Sequence, residues 1–207
     1  TKILLVVSNL SFSIGEKSII KKFDFILNEG EIVALLGESG VGKSTILYLL
    51  AGLEEPSSGK IFLDTNEVIP PSRKLIAGQQ NIKLVKQDYG LFPNISVREN
   101  IAYELRLYNA DYRKERVEYL LGLCELTSIA DRLPRNTSGG EQQRTVIARA
   151  IADEPRLLLL DEPFSHLDRR NKERLKEEII EIIDSEKMGC LFVTHEVSDA
   201  YGVASRI

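Results

Sequence analysis

A glycine-rich run in the first quarter of the chain has the residue types that hold the phosphates of a nucleotide. It lies between a predicted strand and a predicted helix, where its glycines allow the tight turn that points successive N–H groups at phosphate oxygens. Lys43 would reach the β and γ phosphates, and the Ser44 hydroxyl would hold Mg²⁺. The candidate phosphate contacts are Gly37, Glu38, Ser39, Gly40, Val41, Gly42, Lys43, Ser44 and Thr45.

Two adjacent acids end a run of four leucines further along the chain. Leu157–Leu160 is followed by Asp161 and Glu162. An aspartate at the end of a buried strand beside a phosphate-binding loop is a second protein ligand for Mg²⁺. The next residue, Glu162, can orient or deprotonate the attacking water. The two motifs together favour a nucleotide-hydrolysing site over an ordinary glycine turn and a strand that happens to end in acids.

Short apolar runs bounded by glycine, proline or charge predict the strands that position these residues. Three of them, Ile32–Leu36, Leu157–Leu160 and Cys190–Thr194, are predicted as buried parallel strands. Helical patterns over Gly42–Leu53 and Asn171–Glu186 follow the first two. This alternation predicts an α/β fold, a phosphate-loop NTPase core with a mainly parallel sheet.

Two further parts are predicted beside that core. Lys2–Val7, Lys22–Leu27 and Lys60–Asp64 form an N-terminal antiparallel β part. Strand signals stop between Phe92 and Ala152, where helical patterns cover Val97–Leu107, Tyr112–Leu123 and Gly140–Ala152. We therefore expect one domain over residues 1–207, with an α/β core at 1–91 and 153–207 and a helical subdomain at 92–152.

Composition restricts the classes of partner. The 207 residues are 43% hydrophobic and 28% charged, as in ordinary globular proteins. No stretch approaches the ~18 apolar residues of a membrane helix, so direct membrane insertion is not expected. The net charge of -4 argues against nucleic acid as a partner, because phosphate backbones need clustered cations. Cys124 and Cys190 stand in apolar surroundings and are predicted to be buried free thiols.

A second glycine-rich turn gives the chain a specific resemblance. Asn136–Arg144, which reads Asn-Thr-Ser-Gly-Gly-Glu-Gln-Gln-Arg, is similar to the signature motif of ABC transporter ATPases. It is a second anion site, at a helix start, with no use inside its own subunit. The resemblance implies that two such domains, in a homodimer or with another ABC domain, pair head to tail and sandwich two ATP molecules. The signature residues Ser138, Gly139, Gly140 and Glu141 of one domain would then face the phosphates held by the other.

The remaining motifs resemble the same family and follow its order. Gln87 resembles the glutamine that touches Mg²⁺ or water beside the groove for the membrane subunit. Ser165–Asp168 resembles the loop that crosses the dimer interface, with Asp168 as its key residue, and His195 resembles the histidine that contacts the γ-phosphate. The resemblance thus implies a catalytic set of Glu162, His195 and Gln87 and a metal set of Ser44, Gln87 and Asp161. His166, where the family has a small residue, is interpreted as structural.

Some positions depart from the family pattern. Ile14 stands where many relatives carry an aromatic residue that stacks on adenine, so base stacking is weak or falls to Phe12. The signature has Thr137 in place of leucine, and Glu141 in place of glutamine puts a charge near the nucleotide. Relatives also continue beyond the position of Ile207, so we expect a fragment or a trimmed chain.

The resemblance covers Ser8–Ile207 and implies an ATP-hydrolysing motor subunit that couples ATP to solute movement through separate membrane-spanning subunits. It implies a cytoplasmic protein, peripheral on the inner face of the cell membrane. Leu91–Ile101 and Pro134 are similar to bacterial importers, with an exporter as the alternative.

Other functions stay open at this stage. A soluble ABC-type ATPase of DNA repair or of the ribosome is the main alternative, although the segment from Gln87 to Ser138 is too short for the coiled coil of the repair proteins. A GTPase would need an Asn/Thr-Lys-x-Asp base reader, which Asn171–Arg174 does not match. Glu162 and His195 argue against a domain that binds ATP without hydrolysing it.

Overall fold

The computed structural model describes residues 2–207. The strands are β1 Ile3–Ile14, β2 Lys17–Asn28, β3 Ile32–Leu36, β4 Ser58–Leu63, β5 Asn66–Glu67, β6 Ile82–Val85, β7 Leu157–Asp161 and β8 Gly189–Thr194. The α-helices are α1 Lys43–Leu50, α2 Val97–Ala102, α3 Ala110–Leu123, α4 Gly139–Ala150, α5 Arg169–Glu186 and α6 Val197–Ala200. Short 3₁₀ turns lie at 71–73, 103–105, 127–129 and 134–136.

A four-stranded parallel sheet in the order β3-β8-β7-β6 forms the centre of the molecule. Both of its faces are buried, which explains the uninterrupted apolar runs. Leu158 and Leu160 of β7 enter one buried cluster, whereas Leu157 and Leu159 enter the cluster on the other side. All three predicted parallel strands are present, and β6 is an additional strand that the sequence did not predict.

The N-terminal part is a four-stranded antiparallel sheet in the order β2-β1-β4-β5. Helix α1 packs between it and the parallel sheet, in the cluster that holds Leu47 and Leu50. β1 and β2 are longer than predicted. Their pairing shifts register around Asn9, whose φ is 50°, and so continues beyond the polar residues at which the predicted strands end. The predicted antiparallel β part is present.

The region from 92 to 152 contains helices and no strand within the described chain. α2 begins with a capping box between Ser96 and Glu99 and ends at Ala102, with a 3₁₀ turn after it, so the helix predicted as far as Leu107 is shorter. This region shares one buried cluster with α5 and one face of the parallel sheet. None of the helices in residues 2–207 has both the length and the apolar character needed to cross a membrane.

Arg116 of α3 ties the helical region to the core. Its Nη2 donates to the carbonyl of Ile151, after the end of α4, at 2.9 Å, and its Nη1 donates to Glu186 Oε1, at the end of α5, at 3.0 Å. Arg116 is buried, so the pairing with Glu186 offsets the cost of burying the charge. One side chain in the middle of α3 therefore holds the ends of two other helices, α4 and α5.

Both cysteines are buried free thiols, as predicted. Burial raises the pKa of Cys124 and of Cys190 to about 12. Both thiols therefore stay protonated and pack as small apolar groups.

Candidate nucleotide site

The glycine-rich loop joins the end of β3 to the start of α1. Gly40 and Gly42 have positive φ values of 82° and 103°, and Gly42 stands in the N-cap position of α1. A Cβ at Gly42 would lie 2.9 Å from a methyl carbon of Ile19, so glycine is required there for space as well as conformation. Within the described chain no side chain caps α1. Its first N–H groups remain available to an anion.

The side chain of Lys43, the first residue of α1, contacts the backbone of this loop and lies near Glu162. Its Nζ donates to the carbonyls of Gly37 at 2.7 Å and Glu38 at 2.8 Å, and it lies 4.0 Å from Glu162 Oε1. The Lys43 side chain is only 7% exposed, so its charge acts in a partly desolvated setting where interactions with anions are stronger.

The strand end and the helix start meet as the motifs require. Ser44 Oγ donates to Asp161 Oδ1 at 3.0 Å. Burial raises the pKa of Asp161 above its ordinary value, and the hydrogen bond from Ser44 opposes that shift. The carboxyl ends of β3 and β7 thus bring together residues that are far apart in sequence.

Glu162 follows directly and has a left-handed backbone, with φ at 49°. Its N–H donates to the carbonyl of Val193 at 3.1 Å, while its own carbonyl accepts hydrogen bonds from the N–H and hydroxyl of Ser165. Its Oε2 lies 3.0 Å from His195 Nδ1. The Glu162 side chain is 14% exposed and that of His195 43%, so the pair lies at an opening toward solvent.

Gln87 lies just beyond β6 and faces the loop after Glu162. Its Nε2 donates to Ser165 Oγ at 3.3 Å and lies 3.4 Å from His166 Nε2. Sequence reasoning interpreted His166 as structural, but the structure puts it beside the predicted catalytic residue. The departure from the family pattern makes residue 166 unusual, but it does not indicate a contact with Gln87.

The signature turn starts α4. Ser138 Oγ accepts from the N–H of Glu141 at 3.3 Å, and the Glu141 carboxylate accepts from the N–H of Ser138 at 2.7 Å. The charge of Glu141 is therefore directed to its own helix start. Gly139 has open space where a side chain would stand. Among residues 2–207, no hydrogen bond or ion pair joins 138–141 to 37–45.

Asp168 caps the start of α5. Its Oδ1 accepts from the N–H of Asn171 at 3.0 Å, and its Oδ2 accepts from the Asn171 amide at 2.7 Å. These hydrogen bonds lower the pKa of Asp168, and the one from the backbone N–H of Asn171 has the larger effect. Asp168 is exposed, and its lowered pKa favours the ionised form.

The two candidates for contact with the base differ in exposure. Ile14, at the end of β1, is 65% exposed, whereas Phe12 is 9% exposed and packs in the buried cluster between the two sheets. Phe12 is therefore unavailable for stacking. Ile14 remains as the apolar side chain at this hairpin.

A parallel sheet with a glycine loop, an adjacent lysine and serine, and an Asp-Glu pair at the next strand end defines a phosphate-loop nucleotide-binding protein. The sequence of residues 20–165 matches the family described as ABC transporter. This chain belongs to that family, as one of its ATP-binding domains.

Relatives and solved structures agree with this assignment. The chain is 39% identical over 205 residues to the Fe(3+) ions import ATP-binding protein FbpC of Mannheimia succiniciproducens, covering 98% of this chain and 57% of that protein. It is 42% identical over 203 residues to the sulfate/thiosulfate import ATP-binding protein CysA of Synechococcus elongatus, covering 97% and 58%. The chain thus spans less than two thirds of the length of these curated relatives.

The fold matches a solved structure of the same kind. That structure is cbiO1 from Clostridium perfringens, part of the ABC transporter complex cbiONQ. It superposes with a TM-score of 0.83 at 25% identity, over 95% of this chain and 80% of that one. The predicted fold class is confirmed by this comparison.

Proposed function

We propose that this chain hydrolyses ATP as the motor subunit of an ABC transporter. The observation that carries the proposal is the Glu162 carboxylate, which lies 3.0 Å from His195 and 4.0 Å from Lys43 of the phosphate loop. A carboxylate in that place can accept a proton from the water that attacks the γ-phosphate. Lys43 and His195 supply donors for the phosphate oxygens on either side of it.

We infer that Mg²⁺ accompanies the nucleotide. Ser44 and Asp161 offer a hydroxyl and a carboxylate oxygen 3.0 Å apart, and Mg²⁺ prefers such hard oxygen ligands. Gln87 is the third proposed ligand, on the family resemblance. When bound, Mg²⁺ neutralises charge on the phosphates.

Lys43→Ala is expected to weaken ATP binding roughly 10- to 100-fold, because a charge-assisted hydrogen bond to phosphate is lost. Equilibrium binding of a fluorescent ATP analogue measures the affinity, and phosphate release measures hydrolysis by the same samples. Lys60→Ala, which removes a lysine with a 62% exposed side chain on β4, is the matched control. Unchanged affinity in Lys43→Ala would contradict the phosphate-loop assignment.

The proposed partners are membrane-spanning transporter subunits and a second ABC domain. The similar proteins are import ATP-binding proteins, which supports an importer with this subunit held at the inner face of the membrane. The cargo in the name of the first protein is a cation, and the cargo in the name of the second is an anion. Because the two identities are nearly equal, they do not select a solute for this chain.

The proposed membrane contact is the groove between the Gln87 loop and the helical region. The groove holds about 290 Å³ and is lined by Lys83, Lys86, Tyr89, Glu104 and Arg149, among others. At its rim, the rings of Phe92 and Tyr103 lie 4.6 Å apart and are 38% and 42% exposed. Exposed aromatic residues with a polar surround are typical of a partner site.

Phe92→Asp is expected to abolish assembly with the membrane subunits and spare the ATPase activity of the isolated chain. Tyr89 and Leu91 pack against the buried cluster, so the exposed Phe92 is the cleaner position for a charge. Co-purification of the tagged chain from solubilised membranes measures assembly. Leu75→Asp, at a fully exposed leucine outside the groove, is the control. Normal assembly of Phe92→Asp would refute the docking assignment. Failure of the unmodified chain to co-purify with any membrane subunit would favour a soluble ATPase.

A further inference from the structure

The turn after His195 is fastened to the first turns of α5. Lys172 Nζ donates to Asp199 Oδ1 at 2.8 Å and to Glu196 Oε2 at 2.9 Å. The N–H of Lys172 donates to the carbonyl of Asp168 at 2.9 Å, so this lysine stands one helical turn after the residue that caps α5. Lys172 thus links the Ser165–Asp168 loop, through its backbone N–H, to the segment that carries His195, through its side chain.

Further hydrogen bonds join Asp199 to the residues on both sides of His195. Asp199 is 2% exposed, and its Oδ2 accepts from the hydroxyl of Thr194 at 3.1 Å. Thr194 Oγ1 in turn accepts from the N–H of Glu196 at 3.2 Å. The residues immediately before and after His195 are therefore held by one hydrogen-bond network around the buried Asp199, which we call the Lys172–Asp199 clamp.

The clamp is an ion pair between the partly buried Lys172, whose side chain is 17% exposed, and the buried Asp199. Burial alone would lower the pKa of Lys172, but the hydrogen bonds to Asp199 and Glu196 outweigh it and raise that pKa. Removing Lys172 would leave the Asp199 carboxylate in the interior without its cation, which is costly. Such a pair fixes geometry more than it adds stability.

The clamp matters to the site because few contacts hold the His195 ring itself. The ring is 43% exposed, and its nitrogens lie 3.0 Å from Glu162 Oε2 and 3.8 Å from Glu196 Oε1. Its place relative to Glu162 therefore depends on the backbone on either side, and the clamp sets that backbone.

We propose that Lys172 and Asp199 are positioning residues of the hydrolytic site. They hold His195 against Glu162 and make the His195 turn move together with the Ser165–Asp168 loop. The inference rests on the proposed ATPase function and adds residues that the motifs did not indicate.

The test compares ATPase kcat, ATP KM and melting temperature in four variants. Lys172→Met is expected to lower kcat about 10- to 100-fold, because small misplacements of a catalytic group are costly. KM for ATP should change by less than about twofold, because the phosphate loop is untouched. Lys172→Arg should recover most of kcat. Arg156→Met removes a similar cation that pairs with Glu29 and Asp64, and should keep wild-type kcat.

The fourth variant separates positioning from stability. Lys172→Met combined with Asp199→Asn removes both charges, so it should regain melting temperature lost in the single variant. It should not regain kcat if the clamp positions His195. Recovery of kcat together with melting temperature would overturn the proposal, as would a wild-type kcat in Lys172→Met. If the wild-type protein has no ATPase activity, the proposed function is wrong, and so is the positioning role of the clamp.

Discussion

Glu162→Gln is expected to slow ATP hydrolysis by roughly 10²- to 10⁴-fold while ATP binding stays intact. Glutamine has nearly the same size and can keep a hydrogen bond to His195, which lies 3.0 Å from the carboxylate. It cannot accept the proton of the attacking water. Phosphate release at saturating ATP measures the rate, and equilibrium binding of ATP measures the affinity.

Glu177→Gln is the matched control, because it makes the same chemical change at an exposed position of α5. It should keep the wild-type rate. Turnover near the wild-type rate in Glu162→Gln would remove Glu162 from the role of general base. A loss of ATP affinity equal to the loss of rate would assign it to binding instead.

The same Glu162→Gln protein is expected to form a dimer in ATP and Mg²⁺ and to stay monomeric in ADP. The signature turn, which begins with Ser138, makes no hydrogen bond or ion pair with 37–45 within residues 2–207. A second chain in two-fold symmetry would place it over the γ-phosphate, which ADP lacks. Sedimentation velocity measures the mass of the particle in each nucleotide.

Two glycines provide a matched pair for this test. An added Cβ at Gly139, in the signature turn, and at Gly122, in α3, would meet open space in both cases. Both Gly139→Arg and Gly122→Arg should therefore fold when added to Glu162→Gln, but only Gly139→Arg should abolish the dimer. A Glu162→Gln protein that stays monomeric in ATP would contradict the composite site.

The parallel core was predictable because its physical signal is local. Leu157–Leu160 is apolar at every position since alternate residues enter two different buried clusters. β6 was not predicted because Lys83 interrupts a strand of only four residues. β5 has two residues and exists through pairing with β4, in a segment with no strand signal of its own.

The candidate site also has residues that the sequence predicted and contacts that it did not. Lys43, Ser44 and Asp161 were named from motifs, and their proximity follows from the shared edge of a parallel sheet. The contact between His166 and Gln87 and the link from Lys172 to Asp199 depend on how loops and helices pack. No spacing within the sequence encodes these distances, so neither could be predicted. The roles of Glu162, His195 and Gln87 stay predictions.

The left-handed backbone of Glu162 lowers the stability of the fold. The strain lies at the residue on which the proposed chemistry depends. A residue with a long side chain at a φ of 49° costs on the order of 1 kcal/mol relative to an unstrained one. Glycine would relieve that strain but remove the carboxylate. Selection for stability alone would therefore favour an inactive enzyme at this position. Keeping a glutamate there is a trade-off between robustness and activity.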